Sequence, residues 1–582
     1  MKGWNISTLS LFMEEKMTQV DLLIKNGHVF NVFLRKFVDT QVTVKNGKFY
    51  WINQDLPGIR AKKTINLKGK YLIPGFVDAH MHIDSSMTTP AIMGQTILKY
   101  GTTTIIADDH EVTNVAGIKG LKNFIAEPSP IDIFFGIPSS VPSTNPDMET
   151  TGGKIGVKEV QELLKDPRFI CLGEVMNFKD MTSPHKTLIK DIIKVCREKK
   201  PTMPLEGHVP AYAGEDLAKV IYAGVTTDHT EQTAALVNEK VPNGMFVEVQ
   251  LKSMLQEVID TIIKNNYFDH IALVTDDSMP DTLLHGHLNY LVKKAIKMGM
   301  TPEEAIYIAT YTPARHMGLW DRGAIAPGRV ADFVILDDLH DLSIAAVYKN
   351  GINAADIKEQ TGYQFLPELR HSVNAPKLLP DDFVAKTDLV ANGEVLANII
   401  QLNPAGTFTN HIQEKLEVKD HIVQWQKAGL ALIMVQDRYS GDGHYSLGFV
   451  DRGIVKDGAV GATWAHDHHN IMIMGTNTAA MLKIQHQLVE QQGGYIAAKG
   501  DKIVANAKLP IGGVASDQPM SVLGTEIGKV RKTLQELGYK NPNEIMSFST
   551  LSLLVSPTIK ISDKGLFEVK SQKKIPLFEE IR

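Results

Sequence analysis

Cysteine is almost missing from this chain: Cys171 and Cys196 are the only two among 582 residues. That excludes a disulfide framework and any zinc module built on four cysteines. It points to buried thiols in a reducing compartment, the cytoplasm. Long apolar runs are missing too; none approaches the roughly 18 residues that a membrane helix needs. Neither sign of charge dominates, since 61 Lys and Arg face 66 Asp and Glu for a net of −5. Such a balance supplies no basic field to recruit nucleic acid or an anionic membrane. Residues 1–16 (MKGWNISTLSLFMEEK) have one Lys near the start, a short broken apolar stretch and no small-residue cleavage site, so a signal peptide is not indicated. Met17 opens the first strand-like run, MTQVDLLIKNGHVF, and leaves 1–17 as an N-terminal extension.

What is present is an ordinary globular composition, 43% hydrophobic and 22% charged, with length for several domains, or fewer if one is a barrel. Residues 18–72 are short strand-like pieces, and their two Asn-Gly pairs predict hairpins in a small antiparallel sheet. From 73 to 322, eight β-rich runs alternate with helical stretches: LIPGFVDAH, TTIIAD, IDIFFGI, FICLGEV, TMPLEGH, GVTTDH, GMFVEVQ and HIALVTD. That alternation predicts an α/β fold, a TIM-like (β/α)8 barrel. A doubly wound sheet is the competitor, but no Gly-x-Gly-x-x-Gly follows a strand. Residues 323–370 return to short strands (GAIAPGRVADFVILDD) and are expected to join 18–72 in one small β-sandwich flanking the barrel. A polar, Pro-containing stretch at 370–382 marks a boundary, and 386–582 reads as a separate C-terminal α/β domain.

Twenty histidines make chance pairs easy, so context decides among His80/His82, His285/His287 and His466/His468. His80 and His82 follow an apolar run, and on a strand residues two apart share a face. At the carboxyl end of a first barrel strand that face looks into the mouth, where barrel active sites lie. Later runs end the same way, in Glu174, His208, His229 and Asp276. Four imidazoles and two carboxylates suit two divalent ions with Glu174 bridging; one ion on His80, His82, Asp276 and a further His is the alternative. His285/His287 opens a helix and reads as structural or loop-forming. The cluster His466 to His469 (WAHDHHN) is left open between a metal site and a polar loop.

At these residues the sequence resembles a known family. PGFVDAHMHIDSSM, YGTTTIIADDHEVTNVAG, LGEVMNF, VTDD, LHGH, GAIAPGRVADFVILDD, AHDHHN and LPIGGVASDQP together resemble the adenine deaminases of the amidohydrolase superfamily, over roughly residues 18–575. The resemblance implies that His80 and His82 hold the more buried metal with Asp276, that Glu174 bridges, and that His208 and His229 hold the second. It implies manganese or iron, with zinc as an alternative. It implies catalytic roles for Asp276 as proton carrier, Glu174 and His229, and substrate contacts from Asp277, His110, His466 and Asp467. The activity implied is hydrolysis of adenine to hypoxanthine and ammonia, in purine salvage, by a homo-oligomer, a dimer first. The alternatives are hydrolysis of another cyclic amide or amidine, or a metal-binding barrel without catalysis. The sequence departs from the family pattern at Asp84, Asp109, Thr230, Ser278 and His468, and most of these are expected at the substrate pocket.

Overall fold

The protein is described by a computed structural model covering residues 17–358 and 362–581; residues 1–16 of the expected extension lie outside the described residues. Of the two expected hairpins, one forms. Gln41–Lys45 and Lys48–Asn53 pair antiparallel across Asn46 (φ 51°) and Gly47 (φ 71°), the two positive φ angles that a tight type I′ turn requires. At Asn26-Gly27 the chain crosses between sheets instead. Thr18–Lys25 pairs with Gln41–Lys45 and, in parallel, with Ile59–Asn66, while His28–Asn31 pairs with Lys36–Asp39 and, in parallel, with Tyr71–Pro74. A Cβ on Gly27 would sit 2.5 Å from the Lys70 carbonyl oxygen, so only glycine permits this crossing. The expected single antiparallel sheet is therefore two mixed sheets. One of them takes Phe333–Asp338 beside Tyr71–Pro74, so chain from both flanks of the central region meets there. Leu22, Val44, Phe49, Phe333 and Tyr348 form a common core.

The central region contains a five-stranded parallel sheet of β1 (Phe76–Met81), β2 (Thr102–Ala107), β3 (Asp132–Ile137), β4 (Phe169–Val175) and β5 (Leu205–Gly207). A three-stranded parallel sheet follows, of β6 (Thr227–Asp228), β7 (Phe246–Val249) and β8 (Ile271–Leu273). Hydrogen bonds join the two sheets at both seams: Thr226 N donates to Leu205 O (2.9 Å), and Asp276 N donates to His80 O (3.1 Å). β1, β2, β5, β6, β7 and β8 are buried along their whole length, so neither face of these strands is left to solvent and no strict polar–apolar alternation is needed.

Beyond residue 393 lies a ten-stranded, mostly antiparallel sheet with helix Thr478–Glu490 packed on it. This part is not insulated from the central region. One apolar core runs from Phe124 and Ile137 through Val460, Trp464, Tyr495 and Ile527. Arg531 donates to Asp281 (2.7 Å) and Glu544 (3.0 Å), and Ser516 N donates to Met87 O (3.0 Å), just after β1. Among the described residues no helix is long and apolar enough to cross a membrane, and both cysteines are buried and unpaired.

Candidate active site

The parallel strands of the central region bring the six expected metal ligands together at their carboxyl ends. Glu174 is the hub. Its Oε1 lies 2.8 Å from His82 Nε2, 3.1 Å from His80 Nε2 and 3.5 Å from His229 Nε2. Its Oε2 lies 3.1 Å from His208 Nδ1, which is 3.3 Å from His229 Nε2. Asp276 Oδ1 completes the first group at 3.5 Å from His82 and 3.8 Å from His80. Two ligand groups result, sharing Glu174: His80, His82, Glu174 and Asp276, and Glu174, His208 and His229.

Glu174 and His229 have the protonation that a cation requires. Burial opposes the charge on Glu174, but His229, His208, His80 and His82 around it hold its carboxyl well below the usual range. Burial, reinforced by His80, pushes His229 down to about 3, so it is the neutral imidazole that a metal takes. His229 Nδ1 is buried without a hydrogen-bond partner, whereas His82 Nδ1 lies 2.6 Å from Asp108 O, a contact that fixes the ring and leaves Nε2 for the ion. His82→Ala should therefore lower bound divalent metal to well under one equivalent by elemental analysis, with the far-ultraviolet spectrum unchanged. Full metal content in that variant would remove His82 from the ligand set.

A second polar cluster abuts the first. Helix α1 (His110–Phe124) starts directly after β2, and its Glu111 meets two imidazoles of the C-terminal part: Oε1 lies 2.7 Å from His466 Nε2, and Oε2 is hydrogen-bonded to His469 Nε2. Burial opposes ionisation of Glu111, and His466, His469 and His110 overcome it. His110 packs edge-on to His82 with ring centres 4.9 Å apart, and its Nε2 is 3.6 Å from Glu111 Oε1. Asp467 shares this cluster, and its Oδ2 is buried and unpartnered. Ser85 Oγ donates to Asp277 Oδ1 (2.5 Å) and lies 3.3 Å from His466 Nε2. The four expected substrate residues, His110, Asp277, His466 and Asp467, therefore lie within one connected cluster beside the expected metal ligands.

Sequence reasoning missed Glu111 and Ser85 and left the role of His469 open. Glu111 and Ser85 stood inside quoted motifs, but nothing local marks Glu111 as the partner of residues more than 350 positions away. Three departures from the family pattern have local partners. The Asp84 carboxylate accepts from Val112 N (2.7 Å) and Ser85 N (2.8 Å), capping α1 in place of Asp109. Thr230 is tied to Asp228 (2.9 Å), and His468 accepts from Asn470 N (3.0 Å). His287 bonds to Thr102 and Thr275, as its structural reading expects.

Residues 71–354 match the amidohydrolase family, and residues 406–573 match the adenine deaminase C-terminal domain. An adenine deaminase of Lactobacillus delbrueckii subsp. bulgaricus is 73% identical over 97% of this chain and 100% of its own length. Adenine deaminase 2 of Oenococcus oeni is 52% identical over 96% and 99%, and an adenine deaminase of Clostridium perfringens is 44% identical over 96% and 100%. With identity of this order along essentially the whole chain, and with both family regions present in order, the chain belongs to the adenine deaminase family.

Proposed function

We propose that the chain hydrolyses free adenine to hypoxanthine and ammonia, and acts poorly or not at all on adenosine. The observation that carries this reading is the junction at Glu111, where His466 and His469 of the C-terminal part close onto the helix beside the metal ligands. With that cover in place five of the six ligands are nearly solvent-free, which favours a small bare base over a nucleoside. We read the two parallel sheets as one closed eight-stranded barrel, in a cytoplasmic homodimer.

Manganese or iron would be held by His80, His82, Glu174 and Asp276, with a second ion on Glu174, His208 and His229; zinc is the alternative. When bound, a divalent ion lowers the proton affinity of a coordinated water toward neutrality and so makes a nucleophile available at pH 7. The chain's own residues do the rest. Water adds at C6 of the purine, the C6–N bond breaks, and ammonia leaves. Asp276 takes the water's proton and returns it to the departing nitrogen; His229 is the other carrier within reach. Ser85, Asp277 and His466 form a polar row beside Asp276 that orients the ring, and burial excludes bulk water.

The test is ammonia release by metal-loaded protein offered adenine, adenosine, guanine, cytosine and a cyclic amide separately. Adenine should exceed the others by at least an order of magnitude in kcat/KM. Faster turnover of guanine, cytosine or the amide would overturn the substrate while leaving the metal chemistry standing.

A further inference from the structure

Exposure locates the opening of the site. The side chains of His80, His82, Glu174, His229 and Asp276 are 1–8% exposed, whereas His208 is 37% exposed. One other half-open group faces these ligands: Lys252, also 37% exposed, with Nζ 4.0 Å from Asp276 Oδ2. Among the described residues Nζ makes no hydrogen bond, and Asp276 is the only carboxylate within that distance. Its three donors are thus free on the open side of the proposed proton carrier.

The backbone beneath Lys252 is fastened, not loose. After β7 the chain makes a single 3-10 turn, Leu251–Ser253, closed by Ser253 N donating to Gln250 O (2.9 Å). Gln250 Nε2 donates to the carbonyl of the ligand His229 (2.8 Å). Ser253 Oγ accepts from Gln232 N (3.0 Å) and donates to Thr230 O (3.1 Å). The turn is therefore locked to the strand end that carries His229, and Thr230 belongs to that lock. An ammonium on a fixed turn beside the reacting carboxylate is poised for a ligand that brings its own acceptor.

We propose that Lys252 is a substrate-binding residue that donates a hydrogen bond to a ring nitrogen of the purine. Adenine carries three unprotonated ring nitrogens, and a donor on the open side selects the orientation that turns C6 inward. The proposal deepens the reading of adenine as substrate and rests on it.

Lys252→Met and Lys252→Arg test it, alongside 1-deaza-, 3-deaza- and 7-deazaadenine as competitive inhibitors. The Met variant should raise KM for adenine about tenfold, the scale expected on losing a hydrogen bond from a charged donor. Its metal content should stay at the wild-type level, and hypoxanthine affinity by calorimetry should fall in parallel. The Arg variant should recover part of the loss. One deaza isomer should bind worse than adenine to the wild type, and that penalty should vanish in the Met variant. A Met variant with wild-type KM and hypoxanthine affinity, or with every deaza penalty intact, overturns the role of Lys252. A wild-type protein that does not deaminate adenine overturns the underlying reading, and does so before any variant is made.

Discussion

Asp276→Asn should lower kcat by at least about 10²-fold, the lower end of what a positioned proton carrier contributes, while leaving the protein folded. The substitution is clean for two reasons. Asp276 sits at φ 54°, in the left-handed region that asparagine tolerates better than most residues, so the backbone has no reason to move. The amide also keeps an oxygen where Oδ1 lies, within 3.5–3.8 Å of His82 and His80, so metal binding should survive through His80, His82 and Glu174. What is lost is the basic oxygen. Burial opposes its ionisation, yet His82 and Lys252 hold Asp276 below the usual carboxylate range, ionised at neutral pH. Steady-state ammonia release together with metal analysis checks this. A kcat within a factor of a few of wild type, with metal retained, would move the proton to His229.

Ending the chain near residue 380 should abolish activity and leave most of the product insoluble. The reason is the shared core. Val115 on α1 lies under Gly512, and Leu284 lies under Gly524, so removing the C-terminal part uncovers apolar side chains on the central region itself. Each costs about 1.5–3 kcal/mol to expose, and a handful matches a typical whole-domain stability of about 5–15 kcal/mol. Glu111 would be left buried without either imidazole, and Asp281 without Arg531. Soluble expression and ammonia release of the shortened chain, beside the full one, decide it. A soluble, active product would show that the C-terminal part only decorates the fold.

The grouping of the six expected metal ligands was legible because strand periodicity is local. An apolar run that ends in His or Glu announces its own carboxyl end, and a parallel barrel gathers such ends at one face. Glu111 was not legible, because its function is made by contacts across the fold rather than by spacing. The Asn-Gly at 26–27 misled for a related reason: its turn signal is real, with Asn26 at φ 60°, but the flanking strands find better partners in Gln41–Lys45 and Tyr71–Pro74. The boundary placed at 370–382 follows a real change in texture, yet apolar packing crosses it, since a core has no marker in composition.

The contact between Glu111 and His469 spans 358 positions of chain, and that distance is also an interval of time. At about 5–20 residues per second, translation from one to the other takes roughly 20–70 s. For nearly all of it the nascent chain holds Glu111 without the two C-terminal imidazoles, while every expected metal-ligand position, all of them before residue 277, is made within the first half of synthesis. Biosynthesis thus produces the expected ligands first and the residues that cover them last.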